Sequence, residues 1–303
     1  MASSRPYEGK LGIVTGGSRG IGASVARRLA AKGCNLLLAY SSDSSTELTK
    51  QLCAELLSTH KIHCSSVQAD LLRPDEASKA IVKAANILFT SYNPTSQFQV
   101  DILINNAGVS SNQFMNDAKK GPITVDEYTR VYTVNVLAPL LLTQAVAPHL
   151  PIDHSGRIVS VSSVSSSIGY QGQSVYAGSK AAIESMTRVW SRELAERATV
   201  NCINPGPAWG DMYEQAGPSF WTINQPYVDA APLAAYGGEK AVLKMAGADA
   251  AKFDKLVREQ MKARRPAFTT EIAGTVDMLC SPESGWTTGS VICANGGMKM
   301  SIA

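Results

Sequence analysis

Tyr176 and Lys180 stand four residues apart in the stretch SVYAGSKAAIESM, residues 174–186. Most of that stretch consists of good helix formers, and on a helix this spacing puts both side chains on one face. A phenol beside an ammonium can act as an acid–base device. A free phenol keeps its proton up to a pKa of about 10, and a neighbouring cation favours the phenolate. The same pair also fits an ordinary amphipathic surface, so the rest of the chain must supply a cofactor and a pocket. Two more features bear on chemistry. The run SVSSVSSS (160–167) offers several hydroxyls, and Asn135 interrupts an otherwise apolar helical run. A buried amide there needs hydrogen-bond partners, which neighbouring backbone can also provide.

The segment TGGSRGIG (15–22) lies between an apolar run and a helical pattern. Gly16, Gly20 and Gly22 would let backbone approach a pyrophosphate at a helix N-terminus, with Ser18, Arg19 and Ile21 in the same turn. Their spacing differs from the common G-x-G-x-x-G dinucleotide pattern. The next strand ends in Tyr40, Ser41 and Ser42. It therefore lacks the carboxylate that would grip a ribose 2′-hydroxyl and repel a 2′-phosphate. Arg19 can reach the same region, and a guanidinium suits phosphate. The expectation is NADP(H); Asp43, just beyond, is the feature that argues for NAD(H).

These residues need elements to hold them. Short apolar runs at 10–17, 35–40, 62–70, 100–108, 156–163, 198–206 and 289–297 read as strands. Helical patterns fall at 21–33, about 45–58, about 74–90, 124–150 with a possible kink at Pro139, and about 174–197. Strands alternating with helices imply an α/β fold, a Rossmann-like doubly wound parallel sheet covered on both faces. Ligands then bind at the carboxyl ends of the strands, where the unusual motifs fall. Residues 207–268 break the rhythm and show no strand pattern. They read as a helical insertion after the sixth strand, within a single domain spanning 1–303. Its aromatics Trp209, Tyr213, Phe220 and Trp221 could roof a flat substrate or pack on one another.

Together, TGGSRGIG, NNAG at 105–108, Asn135, Ser163, YAGSK at 176–180 and NPG at 204–206 resemble the short-chain dehydrogenase/reductase family in order and spacing. Ser163 precedes Tyr176 by thirteen positions, as is usual in the family, which distinguishes it from its neighbours. The resemblance implies that Tyr176 donates a proton to a carbonyl oxygen and Ser163 holds that oxygen. Lys180 would tune the phenol and bond the nicotinamide ribose, and Asn135 would hold a water for proton return. Asp70 and Leu71 would meet the adenine; Asn106, Ala107 and Gly108 would line the groove; Pro205 and Gly206 would border the nicotinamide. The segments 205–217 and 284–300 further resemble fungal reductases of polyhydroxynaphthalenes, although Asn295 stands where those enzymes carry Asp before the last glycine pair. That implies a ketoreductase acting on an aromatic or polyketide-derived carbonyl. The alternatives are an alcohol dehydrogenase working oxidatively, a dehydratase or cyclase on the same scaffold, or a non-catalytic nucleotide sensor. The family also implies a homotetramer or homodimer built through the helices that carry Asn135 and Tyr176.

Bulk properties narrow the partners. A net charge of +3 without a basic run gives no reason to expect nucleic acid or membrane binding. The six scattered cysteines include no C-x-x-C pair, so they read as reduced thiols of a cytoplasmic protein and not as a metal site. The expected partner is a small-molecule carbonyl compound.

Overall fold

The computed structural model describes residues 5–300, less the side chains of residues 211, 212 and 215. Seven parallel strands form the central sheet: β1 (Leu11–Thr15), β2 (Asn35–Tyr40), β3 (Cys64–Gln68), β4 (Ile102–Asn105), β5 (Gly156–Val161), β6 (Ala198–Pro205) and β7 (Val291–Ala294). Their spatial order is β7-β6-β5-β4-β1-β2-β3. The chain winds outward from β1 to β3 and then restarts at β4 on the other flank of β1. This reversal opens a crevice at the carboxyl ends of β1 and β4. Strand β2 shows why the runs were apolar without alternation: Leu36, Leu37 and Leu38 are all fully buried, so both of its faces meet helices. Each such leucine contributes about 1.5–3 kcal/mol.

One face of the sheet packs on α1 (Gly20–Ala31), α2 (Thr46–His60) and α11 (Thr269–Cys280). The other packs on α3 (Pro74–Tyr92), α5 (Ala138–Val146) and α7 (Ser174–Glu193). Pro74 opens α3 at its first turn, where its missing N–H costs nothing. Helix α4 (Val125–Tyr132) begins at Thr124, whose side chain accepts from the Glu127 N–H at 3.2 Å.

The sequence reading needs amendment in four places. The run 124–150 is not one helix kinked at Pro139; a π-turn at Thr133–Leu137, which contains Asn135, separates α4 from α5. Pro139 lacks the N–H that an α-helix would direct to the carbonyl of Asn135, and the wider turn absorbs that loss. A short helix, α6 (Ser165–Ile168), follows β5 where no helical pattern was read. A small antiparallel pair, Asn116–Asp117 with Gly121–Pro122, was unforeseen. Within 207–268, two-residue strands pair in parallel, Ala208–Trp209 with Ala267–Phe268, and close the base of the insertion. Between them run α8 (Asp211–Asp229), broken at Gly217 (φ 73°), then α9 (Lys240–Ala246) and α10 (Ala250–Gln260).

Candidate active site

A cleft of about 920 Å³ runs along the carboxyl ends of the strands. At one end lies the turn from β1 into α1. Gly20 has φ +58°, and a Cβ there would meet nothing within 4 Å, so the backbone is bare toward the groove. Asn106 ties this turn to β4: its amide donates to the carbonyls of Thr15 (2.8 Å) and Gly16 (3.1 Å). A glycine turn at a helix N-terminus with open space before it fits a dinucleotide pyrophosphate. Gly16, Ser18, Arg19 and Ile21 line the cleft, as do Tyr40, Ser41, Ser42, Asp70 and Leu71. Gly22 does not line it. A Cβ on Gly22 would lie 2.2 Å from the Gly16 carbonyl, so this glycine allows helix and loop to pack closely and is not a ligand contact.

The adenosine-end charges are arranged unevenly. One Arg19 terminal nitrogen donates to Ser45 Oγ at 2.8 Å, which holds the guanidinium beside Ser41 and Ser42. Asp43 is not part of the cleft wall; its Oδ1 accepts from Gln68 Nε2 at 2.7 Å. The acid that argued for NAD(H) is therefore engaged elsewhere.

At the other end, Ser163, Tyr176 and Lys180 line the same cleft, with Pro205 and Gly206 opposite. Ser163 follows β5, and Tyr176 and Lys180 occupy successive turns of α7. Burial pushes the Tyr176 phenol above its ordinary pKa, and a hydrogen bond with Ser163 pulls it back. The Lys180 Nζ donates to the Val161 carbonyl at 2.8 Å and stands 5.7 Å from the Tyr176 ring centroid. Burial lowers the lysine to about 8. Gly108 must be small: a Cβ there would press within 3.2 Å of both Lys180 Nζ and Asn135 Oδ1.

Asn135 lies behind this group, outside the cleft wall, and is 2% exposed. Its Oδ1 accepts from Val109 N–H (2.9 Å), while its Nδ2 donates to the Val109 carbonyl (2.9 Å) and to Ser179 Oγ (3.0 Å). The side chain is thus fully engaged in holding the backbone after NNAG against α7.

The insertion's aromatics divide. Trp209, Tyr213 and Phe220 present edges to the cleft, but Trp221 does not; its Nε1 donates to the Tyr213 carbonyl at 2.9 Å. Trp209, Tyr213 and Trp221 are buried in a cluster with Tyr236, Phe253, Val257 and Phe268. Trp209 meets the Phe253 ring edge-on at 5.0 Å. The sequence also concealed a polar group in the lining of the same cleft. Gln173 accepts from Ser165 Oγ (2.5 Å) and donates to Asn112 Oδ1 (2.7 Å), and all three line the cleft. Arg130 lines it too, fixed by a bidentate pair with Glu127 at 2.8 and 2.9 Å. The one available signal was polar residue type close to Tyr176 and to NNAG.

A sequence profile of the family described as short chain dehydrogenase matches residues 10–219. The chain belongs to the short-chain dehydrogenase/reductase family and is an oxidoreductase. It is 71% identical over 303 residues to the L-xylo-3-hexulose reductase of Hypocrea jecorina, covering 99% of this chain and 100% of that one. It is 55% identical over 299 residues to the L-xylulose reductase of Aspergillus niger, covering 98% and 99%. Among solved structures, a blue fluorescent protein from a metagenomic library in complex with NADPH superposes with a TM-score of 0.77 at 29% identity, covering 97% of this chain and 100% of that chain. A short-chain dehydrogenase from Burkholderia cenocepacia in complex with NADP gives 0.71 at 28% identity, covering 97% and 99%.

Proposed function

We propose that this protein uses NADPH to reduce the ketone of a short-chain polyhydroxy ketone, a ketose, to an alcohol. The observation that carries this reading is the polar wall of Asn112, Ser165 and Gln173 beside Ser163 and Tyr176. A polyol needs a hydrogen-bond partner for nearly every carbon, and an apolar pocket would leave its hydroxyls unpaired. The two fungal relatives, named as ketose reductases and similar over their whole length, support the same reading. The aromatic or polyketide-derived substrate keeps one supporting feature, the presence of Trp209, Tyr213 and Phe220 in the cleft lining.

The bound cofactor supplies a hydride from its reduced nicotinamide. The chain's residues do the rest. Ser163 donates to the carbonyl oxygen and orients it toward the phenol. Tyr176 passes its proton to that oxygen as negative charge develops there. Lys180, a cation one turn away, stabilises the phenolate left behind. The reverse reaction uses the phenolate as base, so an oxidative physiological direction runs through the same residues.

We place the protein in the cytoplasm with reduced thiols, as an oligomer joined through α4, α5 and α7, where Tyr128 and Val189 are exposed. The test of function is NADPH oxidation with L-xylulose, L-xylo-3-hexulose and a polyhydroxynaphthalene-type ketone. Turnover of the keto sugars, with Gln173→Leu raising their KM about tenfold for one lost hydrogen bond, supports the reading. Turnover of the aromatic ketone alone rejects it.

A further inference from the structure

We propose that Glu184 is a positioning residue of the reductase site: its carboxylate ties the ends of β5 and β6 to the turn of α7 that carries Lys180, and places a negative charge beside that buried ammonium. Tyr176, Lys180 and Glu184 follow one another at intervals of four on α7 and so share one face. Tyr176 and Lys180 face the cleft; Glu184, the next turn along, does not line it.

Three donors converge on Glu184 Oε1. Ser162 Oγ lies at 2.7 Å, Ser166 Oγ at 2.7 Å and Asn204 Nδ2 at 3.0 Å. Each donor neighbours a site residue. Ser162 precedes Ser163 and also approaches the Lys180 carbonyl at 3.1 Å. Ser166 lies in α6, directly after the Ser163 turn. Asn204 precedes Pro205 and Gly206, and its own Oδ1 accepts from Asn295 Nδ2 at 3.3 Å, which brings the end of β7 into the network. One carboxylate oxygen thus connects the segments bearing the carbonyl-holding serine, the tuning lysine and the NPG corner. Charge-assisted bonds of this kind are stronger than neutral ones and fix geometry.

The charge has a second consequence. Lys180 is 4% exposed and forms no salt bridge among the described residues. The titratable groups facing it are Tyr176 and Glu184 on its own helix and Cys202 on β6, while the Val161 carbonyl, Gly108 and Asn135 approach it without charge. Burial pushes Cys202 up to about 12, so at neutral pH it is a neutral thiol. Glu184 is therefore the carboxylate that opposes the burial-driven loss of the Lys180 proton.

The inference rests on the family's shared reaction and not on the sugar reading, and its first readout needs no substrate. In protein labelled with ¹³C at lysine Cε, the Lys180 signal is assigned by its absence in Lys180→Met and titrated by NMR in wild type, Glu184→Gln and Ser166→Ala. Gln keeps an acceptor for the three donors but removes the charge. The Lys180 midpoint should then fall on the order of one pH unit, as expected for a neighbouring charge at a part-buried site. Ser166→Ala keeps the charge and should leave the midpoint in place. Glu184→Ala removes both charge and acceptor, and should also lower kcat for the accepted ketone roughly tenfold with a smaller change in KM. An unchanged midpoint in Glu184→Gln, or an equal shift in Ser166→Ala, overturns the proposal. If the Gln variant does not fold, Glu184→Asp serves instead: withdrawing the charge by one methylene should lower the midpoint, and no change again overturns it.

Discussion

Arg19→Ala should separate the two nicotinamide cofactors. The Arg19 side chain caps no backbone group of α1, although the residue occupies the N-cap position, so its removal leaves the helix start intact. What is lost is a guanidinium held at 2.8 Å by Ser45 and lying beside Ser41 and Ser42, where the 2′-phosphate of NADPH would sit. One charge-assisted contact is worth about 1.5–3 kcal/mol, and each 1.4 kcal/mol is about tenfold in affinity. The NADPH Kd should therefore rise roughly 10- to 150-fold. The NADH Kd should move by less than about twofold, since its ribose hydroxyl presents no anion for Arg19. The direct assay is titration of nicotinamide fluorescence with purified wild type and variant, at two salt concentrations. Added salt should narrow the NADPH–NADH gap in wild type and hardly change it in the variant. Equal weakening of both cofactors would mean that Arg19 serves the glycine turn through its Ser45 bond and does not read the phosphate.

Tyr176→Phe should retain the fold and lose about 10²–10⁴ in turnover, the usual value of a general acid, measured by steady-state NADPH oxidation. Lys180→Met should abolish turnover but stabilise the cofactor-free protein at pH 7. The drop from an ordinary 10.5 to about 8 corresponds to about 3 kcal/mol of buried-charge cost, less about 1 kcal/mol for the lost bond to Val161. Its pH dependence follows by sign. Between about 8 and 10.5 the unfolded chain holds the lysine proton and the folded chain does not, so wild-type stability should rise relative to the variant across that window in thermal melts. Trp209→Ala should cost about 3–5 kcal/mol of packing against Phe253 and its neighbours. It should deprotect 207–268 in hydrogen exchange as well as raising KM; a KM change with protection unaltered would show the indole acting only as a cleft wall.

The parts of this protein that were legible in its sequence are those dictated by local chemistry. A strand covered on both faces must be apolar throughout, so NLLLAY announced β2 without reference to anything else. Tyr176 and Lys180 were legible because helical spacing alone puts them together. Asn135 was visible as a buried amide, but its partners are the backbone of Val109 and the Ser179 hydroxyl, 26 and 44 residues away. The aromatics from Trp209 to Trp221 raised a question that the segment itself could not answer. They face the cleft only in part because Tyr236, Phe253 and Phe268, which lie later in the chain, take up their other faces. Gln173 and Asn112 went unread for the same reason: two amides 61 residues apart become a wall only when the fold sets them 2.7 Å from each other. Of the reaction centre, the Tyr176–Lys180 pair and the glycine turn could be read locally, whereas Ser163 stood out from its neighbouring serines only through the family spacing. The cleft walls beyond that centre are formed where distant segments meet, as at Gln173 and Asn112, and no local pattern announces them.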